Sequence, residues 1–374
     1  LLLPLLFEAE LPAKQFNLDC KNVIQKIIYH VLKNYCRFAL RFYFRQWQIH
    51  KYAPIADGPV IFVANHQNAF LDAILMICSS HRKPWALTRS GVFEKPLVRK
   101  FLTTIHMLPV YRFRDGFSTL RKNDEMIETC ANLLHTGKCL LVFGEGNHND
   151  QWSLRSLQKG FARIALAAEE KNNWQLGVKI VPVGLQYDSH EKFRSRVLVS
   201  FGAPLLVNQI ANPSKTLLEN IDSLIKTTAD SFDPLILHIN PDQYEKRLAY
   251  FQANRVIKKD LLEQLKSDQK VVDQANPEIE VIAKPSGKNI KWLSPIYLYQ
   301  YVNHIFPTLI VRWILRTKVK DPQFIGSLKF ASGLVLIPFF YTVQTCICFL
   351  LSGSAAISTL YFISLPLSIA LRRS

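Results

Sequence analysis

Acidic residues are scarce in this chain. Twenty-nine Asp and Glu stand against 46 Lys and Arg in 374 residues, for a formal charge of +17 and a pI near 9.6. Such a balance argues against an acidic or cation-collecting surface and for an anionic partner: nucleic acid, an anionic membrane or a phosphorylated substrate. Paired cysteines are also lacking. The seven Cys include no Cys-x-x-Cys pair and lie scattered, which excludes a disulfide framework or a zinc knuckle and leaves them as reduced, small apolar residues. There is no Gly-x-Ser-x-Gly elbow and no Cys in a nucleophile-like setting, so the sequence signature of a serine hydrolase is missing. No internal repeat is present, and Leu1–Leu6 is too short an apolar stretch for a signal-peptide core.

One further absence is local. No charged residue occurs from Ala331 to Leu371, while Lys329 and Arg372-Arg373 flank the run. That length is too great for one transmembrane helix and suits two, divated at Ser352-Gly353-Ser354 into about 331–351 and 355–371. Basic residues on both outer flanks and none in the turn predict a transmembrane helical hairpin with both ends cytoplasmic. The competing reading is a core hairpin of a soluble protein.

The rest of the chain divides by pattern. In residues 1–50, Val23 to Ile49 reads as an amphipathic, membrane-associated helix: Ile24, Ile27, Ile28, Val31, Tyr35, Phe38 and Phe42 share a face, with Lys26, Lys33 and Arg37 roughly opposite. Packing on the domain's own core is the alternative. Residues 51–210 alternate short apolar runs with helical stretches, as a wound α/β sheet does. Strands are expected at Val60–Ala64, Trp85–Thr88, Met107–Tyr111, Cys139–Phe143, Lys179–Leu185 and Val197–Phe201. Helices are expected at Phe70–Cys78, Pro96–Thr104, Thr119–His135 and Leu157–Glu170. Residues 211–290 read as peripheral helices and a linker, and 291–374 as a membrane-associated region in which Trp292–Leu315 is interfacial or re-entrant.

Chemistry gathers after the expected strands. Asn65-His66-Gln67-Asn68-Ala69-Phe70-Leu71-Asp72 follows the first strand and puts an imidazole near a carboxylate that can orient it as a general base. Open α/β sheets place ligands at such strand ends. Pro109-Val110-Tyr111-Arg112-Phe113-Arg114 brings two guanidinium groups, shaped for a phosphate, to a strand end. Gly144-Glu145-Gly146-Asn147 flanks a carboxylate with two Gly, so that backbone N–H groups can approach an oxyanion. Arg155, Lys159 and Arg163 follow with more positive charge. Finally, Val181-Pro182-Val183 is a strand interrupted by Pro, a pattern of edges, bulges and strand ends. Glu145 and His148 have the spacing of a helical metal pair, but the intervening Gly argues against a helix there.

In this order, the four segments resemble the glycerophospholipid acyltransferase family, membrane enzymes that acylate glycerol 3-phosphate or lysophosphatidate. The family pattern is His-x4-Asp, a Pro-x-x-Arg segment, Phe-Pro-Glu-Gly and a Val-Pro strand, and the resemblance covers residues 58 to 205. Two positions depart from it. Five residues separate His66 from Asp72, a spacing similar to that of some glycerol 3-phosphate acylating members, and Gly144 stands where the family has Pro. The resemblance implies a mixed sheet flanked by helices, of the glycerol-3-phosphate acyltransferase-like α/β class. It implies His66 as general base oriented by Asp72, and Asn65, Arg112, Arg114, Glu145, Gly146, Asn147 and Lys159 as substrate-binding residues. It calls for no metal or bound cofactor; acyl-CoA or acyl-carrier protein is a co-substrate. The partners implied are membrane lipid and a phosphorylated glycerol acceptor, not nucleic acid. The place implied is the cell (inner) membrane, with the catalytic domain on its cytoplasmic face. A lysophospholipid-remodelling acyltransferase, a hydrolase and a basic membrane-surface scaffold are the rival readings.

Overall fold

The computed structural model describes residues 10–371 except 56, 112–118, 148–150, 276–293 and 320, with side chains from residue 23 onward apart from those of 119 and 120. Eight strands form one mixed sheet. Helix α1 (Glu10–Tyr43) leads into β1 (Gln46–Lys51), and β2 (Val60–Ala64) is followed by α2 (Ala69–Ser79) and β3 (Trp85–Arg89). Then come α3 (Pro96–Thr104), β4 (Met107–Val110), α4 (Thr119–His135), β5 (Cys139–Phe143), α5 (Gly160–Lys171), β6 (Lys179–Tyr187), β7 (Arg196–Phe201) and β8 (Leu205–Leu206). The sheet order is β1-β7-β6-β2-β5-β3-β4, with β8 also on β6. Strands β6, β2, β5, β3 and β4 run parallel, while β7 and β8 pair antiparallel to β6.

Every residue of β2 and β7 is buried, which is why β2 is a continuous apolar run and β7 is apolar apart from Arg196 and Ser200, rather than alternating: helices cover both faces. One face carries a core built on Phe62, Leu71, Met76, Tyr187 and Phe201, and the other a core built on Ile61, Leu140, Phe161, Ile180 and Leu224. The six cysteines described are all free. Burial pushes the thiols of Cys78 and Cys130 up to about 12, so they are inert apolar filler.

Three expectations are corrected. The first helix ends at Tyr43, and Gln46–Ile49, expected as its tail, belongs to strand β1, which pairs in parallel with β7. The sheet domain therefore begins before residue 51. Second, Pro182 lies in an interior strand rather than at an edge. On one side of β6, β8 pairs Lys179 and Ile180 while β7 pairs Val183 to Tyr187. Pro182 falls in the gap between the two ladders, where its missing N–H costs no bond. Third, Ser267–Asp273, the start of the Ser267–Asn289 stretch whose charge, Pro and Gly read as a linker, belongs to the helix Leu261–Asp273.

After α6 (Val207–Ile210) and α7 (Leu217–Asp230), helices α8 (Tyr244–Asn254) and α9 (Leu261–Asp273) pack beside β7 around Phe251 and Leu265. The C-terminal region consists of α10 (Pro295–Lys318), α11 (Ile325–Ser352) and α12 (Ala355–Ala370). Helix α10, expected to be interfacial or re-entrant, is a continuous 24-residue helix with Pro307 inside it. The stretch Pro322–Ser352 is long and apolar enough to cross a membrane, with only 6% of its most apolar window buried. Helix α12 has 16 residues, about 24 Å at 1.5 Å each against a hydrocarbon core of about 30 Å. Of the two expected spans, one thus has the length.

The amphipathic face of α1 points outward. Ile24, Ile27, Val31 and Phe38 are more than half exposed, whereas Lys33 turns inward and donates to the carbonyl oxygens of Ser80 and Arg82 at 2.8 and 3.1 Å. An ammonium there satisfies the carbonyl end of α2.

Candidate active site

The parallel strands deliver their C-terminal ends to one edge of the sheet. Ala64 of β2 is level with Phe143 of β5 and Val183 of β6, so His66 and Glu145 each lie two residues beyond that line, and Tyr187 closes β6 beside them. The turn from β2 into α2 carries Ala69 in the left-handed region, φ +42°. The five residues between His66 and Asp72 carry the chain into α2 and set Asp72 in its first turn, where the helix dipole favours a carboxylate.

Asp72 is fully buried and accepts from every side. Its Oδ2 lies 2.9 Å from His66 Nδ1 and takes the backbone N–H groups of Gln67 at 2.8 Å and Asn68 at 2.7 Å. Its Oδ1 takes the Tyr187 hydroxyl at 2.6 Å. Burial, with Asp72 beside it, pushes the Tyr187 hydroxyl well above its ordinary value, so it stays a donor. A carboxylate so surrounded can only accept. Nδ1 of neutral His66 therefore carries the hydrogen, and the basic lone pair is on Nε2. The imidazole is stacked on Phe143, centroids 4.0 Å apart and planes 16° from parallel.

Glu145 holds the backbone of the same residue. Oε1 accepts from His66 N at 3.1 Å, and Oε2 accepts Nε of Arg155 at 2.8 Å. Arg155 also donates to the Asn147 carbonyl. Burial raises the Glu145 carboxyl, opposed by the hydrogen bonds and charge of Arg155 and the His66 amide. Gly144 is forced by space rather than by torsion: a Cβ would lie 2.8 Å from Leu157 Cδ2 and 2.9 Å from Val63 Cγ1. Gly146 has φ +72° and turns the chain toward the exposed Asn147.

The structure thus brings His66, Asp72 and Glu145 together. Asn65 is 1% exposed, and its amide bonds both backbone groups of Leu185, at 3.1 and 2.7 Å; it fastens β2 to β6. Asn147 and Lys159 are exposed, Lys159 as the residue before α5. Arg112 and Arg114, and His148 with them, lie outside the described residues; β4, which leads to the two Arg, ends on the same edge as β3. Two residues went unread as parts of the site. Tyr187 is 115 positions from Asp72, and no local pattern links them. Arg155 registered only as positive charge.

Residues 46–186 match the profile of the Acyltransferase family. The chain is 36% identical over 86 residues to glycerol-3-phosphate O-acyltransferase 2 of Saccharomyces cerevisiae (strain ATCC 204508 / S288c), covering 23% of this chain and 11% of that protein. It is 26% identical over 132 residues to the chloroplastic 1-acyl-sn-glycerol-3-phosphate acyltransferase LPAT1 of Arabidopsis thaliana, covering 35% and 33%. Among solved structures it is similar to the 1-acyl-sn-glycerophosphate (LPA) acyltransferase PlsC of Thermotoga maritima at 15% identity and a TM-score of 0.38, over 56% of this chain and 81% of that one. The sheet domain is an acyltransferase domain. It matches the Acyltransferase family and is similar to glycerol-3-phosphate and 1-acyl-sn-glycerol-3-phosphate acyltransferases, and the chain spans a third or less of the length of these two curated relatives.

Proposed function

We propose that the protein is a membrane-bound O-acyltransferase that moves a fatty acyl chain from acyl-CoA or acyl-carrier protein to a hydroxyl of glycerol 3-phosphate or lysophosphatidate. The observation that carries this reading is the His66–Asp72 pair, buried on its Asp72 side and set at the C-terminal edge of a parallel sheet. His66 Nε2 takes the proton of the acceptor hydroxyl as its oxygen attacks the thioester carbonyl. The tetrahedral intermediate collapses, the C–S bond breaks, and the departing thiolate receives the proton back from the imidazolium. Asp72 stabilises the imidazolium formed between these steps. General base catalysis of this kind contributes about 10²–10⁴-fold. Arg112 and Arg114 are assigned the acceptor phosphate, because a guanidinium fork matches its oxygens. No bound cofactor enters the scheme.

The apolar stretch Pro322–Ser352 and the outward apolar face of α1 support a seat at a membrane. The excess of Lys and Arg before residue 330 favours the cytoplasmic side of the cell membrane for the sheet domain.

The test offers solubilised protein, and a His66→Ala variant, labelled palmitoyl-CoA or palmitoyl-carrier protein with glycerol 3-phosphate, lysophosphatidate or lysophosphatidylcholine. Transfer to a phosphate-bearing acceptor, lost in the variant, is expected. Free fatty acid as the sole product would make the protein a hydrolase. Equal silence of both proteins with every acceptor would leave the scaffold reading.

A further inference from the structure

The first turn of α11 ends on the catalytic turn. Ser327 is fully buried, 256 and 259 positions from the two residues it binds. Its hydroxyl donates to the carbonyl of Asn68 at 2.6 Å and accepts the N–H of Leu71 at 3.0 Å. Those two backbone groups lie inside the five-residue turn between His66 and Asp72, and the N–H of the same Asn68 bonds Asp72 Oδ2. Gly326 makes the approach possible: a Cβ there would lie 2.3 Å from the His190 carbonyl and 2.6 Å from Asn68 Oδ1. Its own carbonyl accepts the buried Tyr43 hydroxyl at 3.0 Å, and Phe330, one turn on, packs edge-to-face on Tyr43. The membrane-length helix is therefore keyed into the catalytic turn by a side chain with no access to solvent.

We propose that Ser327 is a positioning residue for the His66–Asp72 pair, through which the seat of α11 sets the geometry of the catalytic base. The turn contains a left-handed Ala69, a conformation that costs an L-residue energy and persists only where its surroundings impose it. Ser327 spans that turn from Asn68 to Leu71. With the hydroxyl gone, only the direct bond from Leu71 N–H to the Asn68 carbonyl, 3.1 Å, still closes the turn; it loosens, Asn68 N shifts from Asp72, and the carboxylate no longer fixes one tautomer of His66.

The claim rests on His66 acting as general base, so its test has one arm that needs no turnover. Full-length protein labelled with 15N-histidine in lipid nanodiscs is compared as wild type, Ser327→Ala and Lys329→Met, with His66→Gln identifying the resonance. Lys329 is the control, because it anchors the same turn of α11 to the Glu191 carbonyl without touching Asn68. His66 is expected in the Nδ1–H form in wild type and Lys329→Met, and as a tautomer mixture in Ser327→Ala. In the acyl-transfer assay, Ser327→Ala is expected to lower kcat about 10- to 100-fold, with KM for donor and acceptor unchanged within about twofold. In a His66→Ala background it is expected to add no further loss. An unchanged tautomer, an additive loss, or an equal effect of Lys329→Met would overturn the proposal. If wild type transfers no acyl chain at all, the functional reading fails while the NMR comparison still decides the role of Ser327.

Discussion

Tyr187 donates its hydroxyl to Asp72 Oδ1 at 2.6 Å, and this bond joins the last residue of β6 to the first turn of α2 beside His66. It leaves Oδ2 to face the imidazole and two backbone amides, fixing the carboxylate's rotation about its own axis. Tyr187→Phe keeps the ring and deletes the one donor on Oδ1. A hydrogen bond to a charged group is worth about 1.5–3 kcal/mol, so kcat is expected to fall about 10- to 100-fold, with KM for both substrates little changed. Steady-state kinetics check this. A loss confined to KM would remove Tyr187 from the positioning of Asp72.

Asp72→Asn tests the tautomer directly. An amide nitrogen in place of one oxygen must face either the Tyr187 hydroxyl or the set formed by His66 Nδ1 and two N–H groups, and it cannot accept from any of them. The neutral ring then gains by carrying its hydrogen on Nε2, where it cannot act as base. A fall in kcat of about 10²–10⁴-fold is expected. Activity within a fewfold of wild type would show that the imidazole works without this partner.

Glu145 gives a pH signature. The two hydrogen bonds it accepts need its ionised form, yet burial raises its carboxyl above the usual value. Activity is therefore expected to fall on the acid side sooner than an ordinary carboxylate would dictate. Arg155 is one of the groups holding that value down, so Arg155→Met is expected to move the acid limb of kcat/KM to higher pH. Stability moves the other way. A carboxyl whose folded pKa lies above its unfolded one binds protons more tightly when folded, so its contribution improves as pH falls through the folded value. Profiles of kcat/KM and Tm against pH, for both proteins, separate the two effects. An acid limb in the same place for both would end the role assigned to Glu145.

How much of this was visible in the sequence depends on distance along the chain. His66 and Asp72 are six positions apart, and β2 and β5 are short apolar runs with polar ends, so pattern alone located them. β1 escaped because its half-buried residues Gln46–Lys51 continue the polar–apolar mixture of the helix before it. Tyr187, Arg155 and Ser327 escaped because a single polar side chain has no local signature, and their partners are 115, 10 and 256 or more positions away. Asn65 shows the converse. The family resemblance made it a substrate contact, and only the sheet order, which sets β6 next to β2, gives its amide to Leu185.

Gly144 turns a departure from the family pattern into a stability test. Its N–H donates to the Ala64 carbonyl at 3.1 Å, extending the bonding of β5 to β2, and its missing Cβ leaves room for Leu157 and Val63. Gly144→Pro, which restores the family's residue, would delete that bond and drive atoms into both side chains. A cost of about 1–3 kcal/mol from overpacking alone is expected, or a Tm lower by about 2–4 °C for each kcal/mol. Gly144→Ala retains the N–H and isolates the crowding. Because Leu157 Cδ2 is the nearest obstacle, the loss in Gly144→Ala/Leu157→Ala is expected to be smaller than the sum of the two single losses. Thermal unfolding of the four proteins closes the cycle. Strict additivity would mean that Leu157 does not confine this turn, and that the chain tolerates Gly144 without requiring it.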